Sequence, residues 1–352
     1  MAEQMLTAGV LGLGGEGALL LEAARRTGQF LIRAVADQDQ QRIERVAAEL
    51  DCEPYTDYRQ MIVQNQLDCL LVAADIHTCD EHIKTAIRKK FHVLKLAPPA
   101  RNYEEALEYV QIAEYEKVRF AIGNPARFQS SYATAHELIA QGHIRNVFLV
   151  TAYEESTGID RPAWHADPKL AGGGVLLHDC HQVVDQIVWN FSIPQQVYAL
   201  TTNQAPDKQQ RLYLTEDTAV VSMKFTDGLT AGIIATRRSD RGPTRTGLQI
   251  YGKGARLAVT DERVILSTDS GQEDQVWHYE QTEQDVMQRL LSSFALSVRD
   301  PEAHPLASSA AENLKNMAVF ESAYLSARTG FPEEPARILQ ITRNTPGTAA
   351  TI

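Results

Sequence analysis

Gly12-Leu13-Gly14-Gly15-Glu16-Gly17 spells G-x-G-x-x-G between an apolar run and a stretch of helical periodicity. The three glycines of that spacing answer three needs: a tight turn, backbone approach to a ligand, and close packing of helix on strand. The helix behind them offers free N–H groups and a positive dipole end, so the chemistry the spacing suits is the holding of a diphosphate. Asp37 ends the second apolar run twenty residues beyond Gly17, where a carboxylate accepts hydrogen bonds from ribose hydroxyls. The pattern reads as a dinucleotide site, the alternative being a glycine-rich turn that holds nothing. Gln38 follows Asp37 and no arginine stands next to it in sequence, so nothing adjacent would receive a 2′-phosphate. That favours NAD over NADP. Glu16 would repel a diphosphate if it pointed inward and is expected to face solvent.

A second group lies in AGGGVLLHDCHQVVD. Residues three and four apart share a helix face, so His178, His181, Gln182 and Asp185 are expected to line one surface, with Asp179 pointing about 100° away. Imidazole moves protons near neutral pH. The alternatives are a hydrogen-bonded histidine pair packed under a sheet, and a metal chelated by His178, His181 and Asp185; no metal site is assigned. Cys79, opening a helix, is either a low-pKa thiol or a buried structural cysteine.

These groups need a scaffold, and the chain supplies a pattern for one. Up to about residue 123, the runs TAGVLGLG, FLIRAVAD, LDCLLVAAD, FHVLKLA and VRFAIGN alternate with helical stretches at about 16–26, 39–50, 57–65, 79–90 and 102–116. Continuously apolar runs joined by crossover helices predict a doubly wound parallel sheet of Rossmann type over residues 1–123. After Asn124 come a helix at about 130–141, a strand (VFLVTAYEE), a polar loop, and a helix opening at GGGVLLHDCHQVVDQIVW. Alternating runs then carry the turn pairs Asp227-Gly228, Lys253-Gly254 and Asp261-Glu262. They predict an α+β domain over 124–340 with a large, mostly antiparallel open sheet. Helices at about 283–298 and 307–328 follow, and 341–352 has the composition of a loose tail.

Composition narrows the partners. The 352 residues carry a formal net charge of -11, which gives no basic field to gather nucleic acid or anionic lipid. Four cysteines without a CxxC pair argue against a disulfide framework or zinc knuckle. The absence of a long apolar run and of a leader pattern is read as a cytoplasmic protein, neither exported nor in a membrane.

Over nearly its whole length the chain resembles the glucose-fructose oxidoreductase / inositol dehydrogenase (Gfo/Idh/MocA) family. GVLGLGGEG, VADQD, HVLKLAPPA, IGNPARF, GHIRNV, AGGGVLLHDCHQVVD, FTDGLTAG, IYGKGARL and ESAYLSARTG carry the likeness, in the family's order and spacing. The resemblance implies a Rossmann domain followed by an α/β domain with an open sheet, and a nicotinamide cofactor bordered here by Ala74, Asp75 and Ala97. It also exposes departures. The family's Glu-Lys-Pro at the end of the fifth strand, whose lysine touches nicotinamide and substrate, is Leu96-Ala97-Pro98 here. Lys95 lies on the same side of the strand as Ala97, roughly 6 to 7 Å deeper. The family's helical Asp and His, four residues apart, are His178 and Gln182; its Pro-Asn is Asp75-Ile76, and a following His is Cys79. A carboxylate at 75 would stabilise the oxidised, positively charged nicotinamide unless it turns away. Asn124 and Arg127 match a segment that approaches the family's active site, and Tyr153, Trp164, His165, Arg237 and Arg238 fall on stretches expected to reach the cleft.

The implied activity is hydride transfer between NAD(P) and a hydroxyl or carbonyl of a sugar-like or small polar substrate. His178 would transfer the proton, with His181 beside it, and Lys95 or Gln182 would polarise or position the substrate oxygen. The departures keep two other readings open: a dinucleotide-binding protein without dehydrogenase activity, and redox-neutral chemistry with a retained NAD. An exposed face of the second sheet suggests a homodimer or homotetramer.

Overall fold

The computed structural model describes residues 5–157, 161–204, 214–238, 242–269 and 273–341. The expected tail lies outside the described residues, as does the side chain of Arg238.

The first element is β1 (Leu6–Leu11), followed by α1 (Glu16–Thr27), β2 (Phe30–Ala36), α2 (Gln40–Leu50), β3 (Glu53–Tyr55) and α3 (Tyr58–Gln64). Then come β4 (Cys69–Val72), α4 (Asp80–Arg88), β5 (His92–Leu96), α5 (Tyr103–Glu116) and β6 (Phe120–Gly123). The six strands are all parallel, in the order β3-β2-β1-β4-β5-β6. This is the doubly wound sheet that the alternating runs predict, and its order reverses direction between β1 and β4, where such sheets bind ligands. Every residue of β4 and β6 is buried, as strands covered on both faces must be. One strand, β3, has no counterpart among the predicted runs: its three residues include Pro54 and carry no periodicity. Lacking an N–H, proline is tolerated on this edge strand.

The second part opens with α6 (Ser130–Ala140), β7 (Leu149–Thr157), α7 (Pro168–Ala171), α8 (Val175–His178) and α9 (His181–Phe191). It continues through β8 (Gln196–Thr202), β9 (Thr218–Lys224), β10 (Thr230–Arg238), β11 (Arg245–Gly252), β12 (Ala255–Thr260), β13 (Arg263–Thr268) and β14 (Gln275–His278). These eight strands form one sheet, β14-β13-β12-β11-β7-β10-β9-β8, antiparallel except for the β7–β10 pair. Gly228 and Gly254 turn their hairpins at φ 89 and 76, a left-handed backbone that favours glycine. One face of β7 is buried through Val150, Ala152, Glu154 and Ser156, and the opposite face of the sheet exposes Leu200, Val220 and Ile234. The remaining helices are α10 (Glu283–Arg299), α11 (Ala310–Thr329) and α12 (Pro335–Ile341).

The chain divides into two compact units, but not at a single point near 123. One unit runs up to Gln129 and resumes over Glu280–Asn313; the other covers Ser130–Tyr279 and resumes at Leu314. Burial explains the return. Leu290, Leu291, Phe294 and Ala295 of α10 join one apolar cluster with Leu20, Leu21 and Ala24 of α1 and with Val10, Leu94 and Ala121 of the strands. A capping box between Thr282 and Asp285 starts α10, and Ser308 accepts the Ile122 N–H at 3.0 Å through its carbonyl. Leu291 is completely buried in this cluster. Leu291→Ala is therefore expected to destabilise the protein by about 3 kcal/mol, read from the midpoint of urea unfolding; a loss of only a few tenths would remove α10 from the first unit's core.

Candidate cofactor site and active site

The glycine loop starts where β1 ends. Gly12 donates to the Ala36 carbonyl at 2.9 Å and holds φ 82, and a Cβ on it would lie 2.6 Å from the Ala74 nitrogen. A Cβ on Gly17 would lie 2.1 Å from the Gly12 carbonyl oxygen, so helix and strand meet here only because glycine fills both places. Gly15 begins α1 with no side chain capping it, and nothing lies within 4 Å of where its Cβ would be. The entrance to α1 is thus bare backbone at a positive dipole end, which fits a diphosphate. Glu16 is exposed, as expected for a carboxylate beside a diphosphate loop.

Asp37 is buried at the end of β2 with its carboxylate against the loop. Its Oδ2 accepts the Leu13 N–H at 2.6 Å and its Oδ1 the Asp39 N–H at 2.9 Å. The structure also brings Arg42 of α2 to it, with Nη1 3.2 Å from Oδ1. Sequence adjacency concealed this guanidinium, because one turn of α2 carries residue 42 back over the end of β2. Asp39 caps that helix by accepting the Arg42 N–H at 3.1 Å.

Beyond β4, Ala74 is buried with its backbone against Gly12. Asp75 is exposed in a turn closed by two 2.9 Å bonds from Thr78 to its carbonyl. Cys79 is fully buried and donates to the Ile76 carbonyl, and burial pushes its thiol up from its ordinary value; it is the structural cysteine, not the low-pKa thiol. Beyond β5, Ala97 donates to the Gly123 carbonyl at 3.1 Å.

Lys95 is buried, and its ammonium donates to the carbonyls of Leu96 at 3.1 Å and Pro98 at 2.7 Å. Burial pulls its pKa down. The side chain closes the turn at the end of its own strand, a use that strand spacing alone does not reveal. Asn124 and Arg127 differ from expectation in a similar way. Asn124 donates to Ser308 at 3.0 Å and Asn313 at 2.9 Å, and Arg127 to the Ala307 carbonyl at 2.6 Å and Glu312 at 3.1 Å. Both tie β6 to the returning segment.

In the second unit the expected continuous helix is broken. The N–H of Cys180 reaches back to the Val175 carbonyl at 3.0 Å, which ends α8, and α9 starts afresh at His181. The common face predicted for His178, His181, Gln182 and Asp185 therefore does not form. His181 is buried with its ring 5.3 Å from that of Phe320. Gln182 is exposed. Asp185 is buried and accepts from Asn316 at 2.7 Å. Among the described residues, no three His, Cys, Asp or Glu side chains gather as a metal site.

His178 sits at the end of α8, partly buried among aromatic rings, 4.8 Å from His165 and 5.7 Å from Trp164. Its Nε2 lies 2.9 Å from the Ala171 carbonyl. A carbonyl only accepts, so Nε2 carries the hydrogen and Nδ1 keeps the lone pair. Burial pulls its pKa down to about 4, leaving a neutral ring at pH 7. Asp179, expected to point away, pairs with Arg161 and lies 3.7 Å from Nη2 of Arg237. Arg237 is buried on β10. Behind it Glu154 is buried against the Thr246 hydroxyl at 2.5 Å, and burial pushes its pKa up to about 8. Tyr153 instead covers Gly247 of the neighbouring strand.

The segment before His178 is set by Glu216, which no motif flagged. Its carboxylate accepts the N–H groups of Gly174 at 2.8 Å and Leu176 at 3.0 Å, and the Tyr324 hydroxyl at 2.9 Å. A Cβ on Gly174 would lie 1.9 Å from the Glu216 carbonyl oxygen.

Residues 6–124 match the model of an oxidoreductase family with an NAD-binding Rossmann fold, and residues 132–258 match the GFO/IDH/MocA C-terminal domain. The chain belongs to the Gfo/Idh/MocA family. It is 26% identical over 183 residues to a 2,7-anhydro-N-acetylneuraminate hydratase of Escherichia coli, covering 51% of this chain and 48% of the relative, about half its length. It is 22% identical over 274 residues to a myo-inositol 2-dehydrogenase of Thermotoga maritima, covering 75% of this chain and 78% of that one. A levoglucosan dehydrogenase solved with NADH and levoglucosan superposes with a TM-score of 0.86 over 94% of this chain and 99% of that one, at 15% identity. At that identity the likeness to a Gfo/Idh/MocA structure is one of fold.

The His178 pKa predicts a pH dependence. An unfolded imidazole takes up its proton near pH 6.5 and the folded one only near 4. Between those values the unfolded chain binds more protons, so stability falls on acidification from about 6.5 toward 4. His178→Asn is expected to remove about 2 kcal/mol of that acid loss, measured as unfolding midpoints across this range. Parallel curves for the two proteins would place the imidazole in water.

Proposed function

We propose that the chain is an NAD(H)-dependent oxidoreductase acting on a hydroxyl or carbonyl group of a sugar-like or small polar molecule. The observation that carries this reading is the uncapped glycine loop between β1 and α1 with the Asp37 carboxylate folded against it. Gly12, Gly14, Gly15 and Gly17 would pass the diphosphate along bare backbone, and Asp37 would take the adenosine ribose. Ala74, Asp75 and Ala97, at the C-terminal ends of β4 and β5, would border the nicotinamide, with Glu16 left in solvent. A bound nicotinamide supplies the carbon that gives or takes hydride.

The protein's part is to bind, orient and move a proton. His178 Nδ1 would accept the hydroxyl proton in oxidation and return it in reduction, the ring held in one tautomer by its bond to Ala171. Gln182, exposed on α9, would position a substrate oxygen. His181 packs against the Phe320 ring and Lys95 serves its turn, so neither is given a chemical role. Self-association through the open sheet face exposing Leu200, Val220 and Ile234 belongs to the same proposal.

A second reading is favoured by a specific weakness of the site. An imidazole that protonates only near pH 4 is a poor base, and alanine stands at 97 where the family carries lysine. Redox-neutral turnover with a retained dinucleotide suits such a site, and the E. coli relative is named as a hydratase.

The test is to titrate the protein with NADH, then screen polyols, ketoses and sugar acids for change in reduced nicotinamide and, by mass spectrometry, for conversion without it. Hydride transfer supports the first reading, and conversion at constant NADH the second. In the oxidoreductase, His178→Ala is expected to lower kcat about a hundredfold with NADH binding unchanged; undiminished kcat would take His178 out of the reaction.

A further inference from the structure

We propose that Trp164 and His165 are positioning residues for His178: they form one wall of a slot whose other wall is α8, and they keep its imidazole dry and in a single tautomer. The proposal rests on the reading of His178 as the proton-transfer group, but the slot itself can be tested without a substrate.

A single stretch touches the ring on several sides. Trp164 and His165 stack on each other with ring centroids 3.8 Å apart and planes 20° from parallel. Both then meet His178 edge-on, His165 at 4.8 Å and 70° and Trp164 at 5.7 Å and 64°, the arrangement aromatic rings prefer over a face-to-face sandwich. The same stretch runs on through α7 to Ala171, whose carbonyl takes the Nε2 hydrogen at 2.9 Å. Asp167 begins α7 by accepting the Lys169 N–H at 2.9 Å, so one short helix joins the wall to the anchor.

Residues 214–217 hold that wall in place. Thr215 is buried, and its hydroxyl donates to the His165 carbonyl at 2.7 Å. The Leu214 N–H donates to the Ala166 carbonyl at 2.9 Å. The next residue, Glu216, holds the other wall: its carboxylate takes the Gly174 and Leu176 amides, and its carbonyl accepts the Val175 N–H at 3.0 Å. Consecutive residues thus fix both sides, and the width of the slot is set by one segment in place of two independent loops. At its far end the wall is tied by Arg161 to Asp179, the residue directly after His178.

The wall does two things to the imidazole. It takes water from the ring, which disfavours the charged form. Together with the Ala171 carbonyl it keeps the hydrogen on Nε2, so that Nδ1 is the nitrogen left to take up a proton. Asp179 favours that proton, while Arg161 and Arg237 oppose it, and His165 is the other titratable ring in contact. Burial outweighs these charges.

NMR of the His178 ring tests this, with its carbon-bound protons and ring nitrogens assigned by their absence in His178→Asn. The resonances are followed from about pH 8 to about pH 4 in the intact wild type, Trp164→Ala, Trp164→Phe and Thr215→Val, with thermal melts confirming that each is folded. The wild type is expected to hold the Nε2–H tautomer and to titrate near pH 4. Trp164→Ala is expected to raise that titration by about one pH unit and to mix the tautomers. Thr215→Val removes the hydroxyl at almost constant volume and is expected to move both readings the same way by less, whereas Trp164→Phe restores the wild-type behaviour. Folded Trp164→Ala or Thr215→Val protein whose His178 titrates with the wild type and stays Nε2–H overturns the proposal. A titration that moves in Trp164→Ala while the acid limb of turnover, on a substrate found by the screen, stays in place upholds the slot and takes His178 out of the reaction.

Discussion

A methyl group has no place between Gly12 and Gly17. The carbonyl oxygen of Gly12 lies 2.1 Å from where a side chain on Gly17 would begin, and Gly12 is itself closed against the backbone of Ala73 and Ala74. This steric fact lets α1 start hard against the ends of β1 and β4, where the order of the parallel sheet reverses. It sets the direction of the first helix, a start that no side chain caps, and the fold of Asp37 onto the Leu13 N–H. The site is made of backbone, and backbone groups held by a sheet do not need reorganising when an anion arrives.

The second unit works by a different device. A buried carboxylate, Glu216, does for the Gly174–Leu176 amides what an anion would do elsewhere, and Tyr324 completes its shell. These donors offset part of the cost of burying that charge, and burial still holds the carboxyl's pKa above its ordinary value. Its effect is to fix the short helix α8, and with it the position of His178 beneath Trp164 and His165. Burial then makes the imidazole neutral and weakly basic. A rigid, poorly basic group beside an Asp179–Arg161–Arg237 cluster is suited to orienting a polar ligand at least as much as to stripping it of a proton.

Much of this fold is encoded locally and so is legible locally. Parallel strands buried on both faces announce themselves as continuous apolar runs, hairpins by their glycine pairs, and the phosphate loop by three glycines whose need is steric. What escapes is whatever depends on partners distant in sequence. Nothing near Asn124 or Arg127 shows that residues 307–313 return to bind them. Nothing in HDCHQ marks the break at Cys180, since no proline or glycine stands there and the helix ends by a backbone bond to Val175. Arg42 is hidden for a simpler reason: it is no neighbour of Asp37 along the chain, whereas a turn of helix returns residue 42 to residue 37. Glu216 bears no motif, and only its position opposite the glycines gives it a function.

The claim on which the rest stands is that the turn from β1 into α1 grips a dinucleotide through its own amides. Mapping backbone amide chemical shifts as NADH is added tests it most directly. The account predicts that the largest changes fall on residues 13–17 and on Asp37 and Asp39, saturating with the cofactor. Saturable binding that leaves those amides unmoved, or no binding at millimolar NADH, would contradict it.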